Sequence, residues 1–422
     1  MTPEVKERIE QIRHGNVPEG YMKTKVGIYP EDWTEYTLGD IYTERKEPGN
    51  ENLPLLMVSI HSGVSDGEVD EEDLPKKVKR IEDKTQYKRA ASGDLVFNMM
   101  RAWQGAIGTV RTEGMVSPAY IVAEPNKLVD PLFMDYLMRT PRMVGTIHKQ
   151  SYGVTDFRLR LYWDSFAPIH CVLPSVPEQE KIGEAVDIQN KIIELKEKLL
   201  AEKQRQKKYL MQQLLTGKKR LPGFDGEWRN VKLNEVLLER KEKNANQDHR
   251  ICSVAVQKGV VDQIEHLGRS YAAADTSNYG VAHFGDIIYT KSPTGEFPYG
   301  IIKQSHMDEA VAVSPLYGIY EPSCYELGYL LHTYFSYAVN CLNYLTPIVQ
   351  KGAKNTINIT NDVFVSKELH LPMNQAEQKA LASIFMAADK EIELLTQSVA
   401  REKQKKKALM QLLLTGIVRV TE

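Results

Sequence analysis

Two stretches of this chain carry the same alternation of apolar and polar positions. From Glu178 to Gly217 and from Glu377 to Gly416, forty residues align without a gap at an offset of 199, ending in KKYLMQQLLTG and KKALMQLLLTG. In the second stretch, apolar residues recur at steps of three and four through Phe385, Ala388, Ile392, Leu395, Val399, Leu409 and Leu413, the stripe of a coiled-coil seam. The first stretch carries Val186, Ile193, Leu200, Leu210 and Leu214 on the equivalent stripe, interrupted by Gln189, Lys196, Lys203 and Lys207. Neither stretch contains proline. Each follows a Leu-Pro pair (Leu173-Pro174, Leu371-Pro372) and closes on a glycine suited to a left-handed cap. The pattern predicts two helices of about 38 residues, each a rod of roughly 57 Å. A lone helix does not stably expose such a stripe, so the two are expected to pack on each other. Their relative direction is left open by the pattern.

Upstream of each helix the pattern is that of a mixed α/β domain. Short β-rich runs at 55–60, 94–100, 115–123, 286–290 and 310–320 alternate with turn signals, and helical stretches follow at DPLFMDYLMRT and ELGYLLHTYFSYAVNCL. The opening segments also repeat: YPEDWTEYTLGDIYTERKE (29–47) aligns with FDGEWRNVKLNEVLLERKE (224–242), pairing Trp33 with Trp228. Between opening and closing only echoes survive, such as GDLVFN beside GDIIYT and VSPAYIVAEP beside VSPLYGIYEP. The frame is duplicated and the filling diverges. The expected organisation is an N-terminal helical segment (1–19), a first variable domain (20–170), a first long helix (171–218), a second variable domain (219–370) and a second long helix (371–422). The N-terminal segment, with Val5, Ile9 and Ile12 on one side, resembles the end of the first helix and its linker, which would arrange the repeat circularly.

At 422 residues the chain suits two or more domains. Its net charge of −2 gives no global attraction to nucleic acid, so DNA binding would have to come from local patches or from a partner. Cys171, Cys252, Cys324 and Cys341 have no metal or disulfide spacing and read as reduced thiols. No apolar run approaches the ~20 residues of a membrane span, and the charged N-terminus is unlike a signal peptide, so a cytoplasmic protein with no membrane partner is expected. A phosphate loop, a dinucleotide fingerprint and a clustered His/Cys ligand set are all missing. DPLF (130–133) has Leu132 where an amino-methyltransferase tetrapeptide needs proline, and reads as a helix start. IEDK (81–84) lacks the Pro-Asp partner of a nuclease site and reads as a solvated charge run.

Two divergent domains, each opened by P-x-x-W or D-G-E-W and closed by L-P-x(3,4)-E-Q before a long helix ending K-K-x-L-M-Q-x-L-L-T-G, resemble the specificity subunit of type I restriction-modification enzymes. The resemblance covers nearly the whole chain. In the second copy Ala376 stands where the first has Pro177. The family implies two α/β target recognition domains joined by antiparallel coiled-coil helices, each domain reading half of a bipartite, asymmetric target in double-stranded DNA. It implies a non-catalytic chain, without a cofactor of its own, that assembles with two methyltransferase subunits and with restriction/translocase subunits. The physical logic agrees: a symmetric dimer reads half-sites ~34–36 Å apart in a palindrome, whereas two unlike readers on one frame would read two unlike half-sites. Target adenine chemistry, with base flipping, would belong to the methyltransferases.

Four segments are candidates for DNA contact. MMRAWQGAIG places Arg101, Trp103 and Gln104 on a loop after a strand, Arg and Gln being residue types that read guanine and adenine edges; otherwise Trp103 is core and Arg101 a surface ion pair. The matching loop KSPTGEFPYG offers Lys291, Ser292 and Thr294. Near the end of each domain, Lys149, Gln150, Ser151 and Tyr152, and Lys351, Lys354 and Asn355, lie on expected polar loops able to touch bases or phosphates, or on plain exposed loops. The basic run 75–89 follows an acidic run and reads as solvated surface. Arg205, Lys207 and Lys208 on the first helix, and Lys405, Lys406 and Lys407 on the second, sit at equivalent points; they are either solvated flanks or docking points for the common partner subunits. Two rivals remain: a scaffold whose variable domains bind proteins, and a cryptic enzyme.

Overall fold

The computed structural model describes residues 2–60, 62–65, 84–155, 158–269, 272–351 and 357–420. It forms two compact units, Met1–Glu197 with Ser398–Glu422, and Lys198–Gln397. The fold class is mixed α/β, as expected. Both long helices form, Val176–Leu214 and Gln375–Leu413, each of 39 residues, and each contributes a part to both units.

The helices run antiparallel inside each unit. In the first, Gln189 Nε2 donates to Glu402 Oε2 (2.8 Å), and Lys196 Nζ to Glu402 Oε1 (2.7 Å) and Ser398 Oγ (2.9 Å). In the second, Lys203 pairs with Glu391 (2.8 Å) and Lys207 with Asp389. Partner numbers fall as the first helix's numbers rise. The four polar residues that interrupt the first helix's stripe are therefore the ones that reach acids on the second. The hydrogen bond from Lys196, followed by that from Gln189, holds the Glu402 carboxyl below its ordinary value. Apolar packing surrounds this ladder: Ile182 and Val186 join Leu413 and Leu414 in the first unit, and Met211, Leu214 and Leu215 join Leu381, Ala382 and Phe385 in the second.

Each unit closes with the same clamp. Arg220, just past the first helix, grips Glu377 at the start of the second through two bonds of 2.8 Å, with its guanidinium 5.6 Å from the Trp228 ring centre. Arg419, 199 positions later, grips Glu178 through two bonds of 2.7 Å, holds Asp32, and lies 6.0 Å from Trp33. Bidentate guanidinium-carboxylate pairing of this kind fixes geometry as well as energy. The neighbouring glutamines of the E-Q motif seal the Leu-Pro step: Gln179 Nε2 donates to the Pro174 carbonyl (2.9 Å) and Gln378 Nε2 to that of Pro372 (2.7 Å). The terminal glycine of each L-T-G has a positive φ, +69° at Gly217 and +68° at Gly416. A Cβ there would press on Trp228 or on Pro30 and Trp33.

The filling, divergent in sequence, repeats the order of one four-stranded sheet. The first unit has a four-stranded sheet in the order Tyr42–Arg45, Tyr120–Pro125, Leu95–Asn98, Ile107–Thr109; the second has Leu237–Glu239, Gly318–Pro322, Ile287–Tyr289, Ile302–Gln304. Strand Thr34–Thr37 pairs with His170–Leu173, and Trp228–Lys232 with Glu368–Pro372, so in both units the opening strand lies beside the strand that leads into a long helix. The Gly-Asp echo has a physical reason: Asp94 and Asp286, each 2% exposed, receive Arg45 (2.8 Å) and Arg240 (2.7 Å). Each also accepts a backbone N–H, from Ala91 and His283.

Some expected elements differ. The runs 115–123 and 310–320 are not single strands; each breaks at a Ser-Pro turn into two strands belonging to different sheets, Gly114–Val116 and Tyr120–Pro125 in the first unit, Val311–Val313 and Gly318–Pro322 in the second. The 55–60 run yields only Val58–Ser59. DPLF starts a helix, with Asp130 Oδ1 accepting from Phe133 N (2.7 Å). Residues 81–83, and 75–83 of the basic run, lie outside the described residues. At the N-terminus, helix Pro3–Arg13 meets the other end of the chain: Arg8 donates to the Ile417 carbonyl (2.6 Å) and the Tyr21 phenol to that of Gly416 (2.7 Å).

Two outcomes are expected in urea denaturation. Arg220→Ala leaves Glu377, 1% exposed, without its cation and costs ~3–5 kcal/mol, the usual penalty for breaking a buried pair. Arg419→Ala costs less, because Glu178 and Asp32 are 11% and 62% exposed; equal small losses would contradict the clamp. The second outcome concerns Lys303, 5% exposed, whose ammonium burial pushes down to about 8 while Lys207, Cys341 and Asp389 face it; its hydrogen bond to Ser336 Oγ is 3.2 Å. An unfolded lysine titrates near ~10.4, so between these values the unfolded chain binds a proton that the folded one lacks, and stability rises with pH. Lys303→Met should therefore stabilise by on the order of 3 kcal/mol at neutral pH, the gain vanishing by pH ~10.4.

Candidate nucleic-acid interface

In the first unit three segments converge. Strand Leu95–Asn98 ends in a tight loop with a 3₁₀ turn at Ala102–Gln104, closed by Gly105 at φ +103°. Arg101 and Gln104 are exposed, whereas Trp103 is half-buried and donates from Nε1 to the Met100 carbonyl (2.9 Å). The Trp103 ring lies 5.6 Å from that of His148, which brings the loop against helix Pro141–Gln150. Lys149 and Gln150 are thus not on a loop; they are exposed at the last turn of that helix. Ser151 caps it, 8% exposed, its hydroxyl donating to the Ile147 carbonyl (2.8 Å). Beyond the cap the chain projects. Tyr152 is 56% and Val154 97% exposed, and the Tyr152 ring packs 5.4 Å from Tyr162 while its backbone pairs with Arg160. Leu161 N donates to the Met99 carbonyl (2.9 Å), tying this arm to the first loop.

Arg160, Val154 and His148 join this surface without a motif that marks them. Alternation in DFRLRL was the available signal for Arg160; an exposed valine has none.

In the second unit the equivalent loop is built differently. Lys291 holds a positive φ of 58° and is half-buried, burial pushing its ammonium down. Ser292 and Thr294 are exposed, and Thr294 pairs with Phe297 in a tight turn. Phe297 and Ile301 enter the same core against which Ile348 and Val349 pack, so this loop and the hairpin Gln350–Lys351/Ile357–Asn358 flank one core. Lys351 ends the first strand of that hairpin; Lys354 and Asn355 lie outside the described residues.

The type I restriction-modification S subunit from M. genitalium superposes with a TM-score of 0.54 at 10% identity, over 90% of this chain and 96% of that one. This chain has the type I S-subunit fold. Looser superpositions are given by the HsdS subunit from Thermoanaerobacter tengcongensis (TM-score 0.46, 18% identity, 94% and 100% covered) and by a chain from work on complex assembly and conformational transition of the type I R-M system (0.47, 17%, 92% and 99%). No family model and no curated protein matches the sequence.

On this S-subunit fold the two basic clusters differ. Arg205 is exposed beside Glu202 (3.2 Å); Lys207 is taken up by Asp389, and Lys208 lies 5.9 Å from the Tyr337 ring centre. Lys405 and Lys407 are exposed and Lys406 is half-buried. Among the described residues no group of three or more His, Cys, Asp or Glu is placed to hold a metal, and no helix is long and apolar enough to cross a membrane.

The convergence in the first unit gives a concrete expectation. Gly105→Ala forces a side chain into a left-handed backbone position and costs more than ~1 kcal/mol, and it should shift the Trp103 fluorescence spectrum. An unchanged spectrum and stability would mean that the loop is not held as described.

Proposed function

We propose that this chain is the non-catalytic specificity subunit of a type I restriction-modification system. Each variable domain reads one half of a bipartite, asymmetric target in double-stranded DNA. The long helices set the half-site spacing and seat two methyltransferase subunits and the restriction/translocase subunits. The observation that carries this reading is a frame repeated in clamp, sheet order and opening strand, bearing unlike contact loops at the same place: Arg101, Trp103 and Gln104 in one unit, Lys291, Ser292 and Thr294 in the other. A structural role would keep such loops alike; a reading role sets them apart.

In the first unit Arg101 and Gln104 are the residues for base edges, with Lys149, Gln150 and Arg160 toward phosphate and Tyr152 and Val154 toward apolar base surface. Ser151 serves as a cap that aims them. In the second, Lys291, Ser292, Thr294 and Lys351, with Lys354 and Asn355, fill these roles. Of the docking candidates, Arg205, Lys405, Lys406 and Lys407 are free of the helix seam, whereas Lys207 serves it; Lys208 is held against Tyr337.

The test is binding of a specific duplex by the chain together with its cognate methyltransferase. Affinity should fall with salt, log K against log salt having a slope of about −0.9 per phosphate neutralised. Arg101→Ala should relax specificity at one position and cost ~1–3 kcal/mol. Exchanging residues 219–370 for those of a relative should change one half-site alone. Binding that never discriminates between sequences would favour a protein-binding scaffold, and methylation by the isolated chain would favour a cryptic enzyme.

A further inference from the structure

The first unit contains a cavity of about 680 Å³ lined by five cations, Arg139, Arg142, Lys403, Lys406 and Lys407. Two are already matched, Arg139 by Asp135 (3.2 Å) and Lys403 by Glu197 (2.7 Å). Arg142, Lys406 and Lys407 have no ion-pair partner among the described residues. The Arg142 guanidinium lies 5.6 Å from the Tyr29 ring centre, and Tyr29 also lines the cavity. Lys406 is half-buried, its ammonium pushed down by burial and then by the charge of Arg139, while Asp135, already paired with Arg139, acts the other way.

The repeat makes this arrangement informative. Lys207, 199 positions before Lys406, is matched from within the chain by Asp389. The residue 199 positions before Asp389 is Asn190, a neutral amide that donates to the Tyr136 hydroxyl (2.7 Å). The first unit thus keeps the lysine of the pair and lacks the acid.

Three unmatched cations around one space call for a ligand carrying two or more negative charges. A single carboxylate brings one; a phosphate monoester or diphosphate brings about two or more at neutral pH, with oxygens that suit guanidinium and ammonium donors. The remaining lining includes Leu137, Met410 and Leu414, apolar surface for an organic group, and the volume lies in the range of small-molecule sites. We propose that this cavity binds a phosphate-bearing ligand of nucleotide size, whose charge takes the place of the acid that the second unit carries itself. The phosphate comes from a free nucleotide or from a nucleic-acid backbone. The inference does not rest on the specificity-subunit reading, and it competes with the docking role proposed above for Lys406 and Lys407.

Calorimetric titration of the full chain with inorganic pyrophosphate and with ATP should give saturable one-site binding with a Kd below about 1 mM. The double substitution Arg142→Gln/Lys406→Gln should weaken both roughly tenfold or more, as loss of charge-assisted contacts does. The single exposed change Lys407→Glu should weaken them without disturbing the fold, and Lys258→Gln, in an exposed turn of the second unit, should change nothing. Displacement of ATP by excess duplex assigns the site to backbone phosphate; ATP binding indifferent to duplex assigns it to a free nucleotide. Absence of saturable binding by both probes, or binding that all three charge changes leave intact, overturns the proposal.

Discussion

The structure depends on a guanidinium set between a carboxylate and an indole at each place where a long helix ends. Arg220 meets Glu377 beside Trp228, and Arg419 meets Glu178 beside Trp33. In both cases the arginine follows one helix and the glutamate begins the other. A parallel pair would bring beginnings together and leave a carboxylate that is 1% exposed, Glu377, without a cation, at a cost no surface contact offsets. Direction is thereby written into charge at the ends, before the apolar stripe contributes anything to it.

The stripe and its interruptions then fix register. Leucines and valines slide past one another at small cost, whereas Lys196 fits Glu402 and Ser398, and Lys203 fits Glu391, only in one alignment. Polar residues at seam positions are known to specify pairing at some expense of stability, and the uneven first stripe is best understood in that way. Surface pairs in this ladder add little individually; their value is that they agree with one another and with the clamps.

Much of the frame was legible in the sequence because its physics is local or repeated: helix length from the three-and-four spacing, helix ends from Leu-Pro and Gly217 or Gly416, duplication from a constant offset. Direction was not, since Arg220 and Glu377 are 157 positions apart and nothing in the spacing joins them. The shared order of the four-stranded sheet was hidden for a different reason. A sheet order survives wholesale replacement of side chains provided that a few constraints persist, here the buried Asp94–Arg45 and Asp286–Arg240 pairs and the Ser-Pro turns. The exposed loop position of Arg101 and Gln104 was legible from residue type and position. Lys149 and Gln150 stand on helix Pro141–Gln150 rather than on a loop because that helix continues through polar residues that carry no stop signal, and the capping bond of Ser151 forms only once that helix exists.

What the duplication offers is two supports that are physically the same and two surfaces that are not. Trp103 against His148 in one unit and the left-handed Lys291 in the other are different solutions at one address, the condition that the proposed reading of two unlike half-sites requires. The most direct measurement is a map of methylated bases in the host genome with and without this gene. The account predicts gene-dependent adenine methylation at a two-part motif whose halves differ and stand at a constant separation. A palindromic motif, or a map that loss of the gene leaves unchanged, would contradict it.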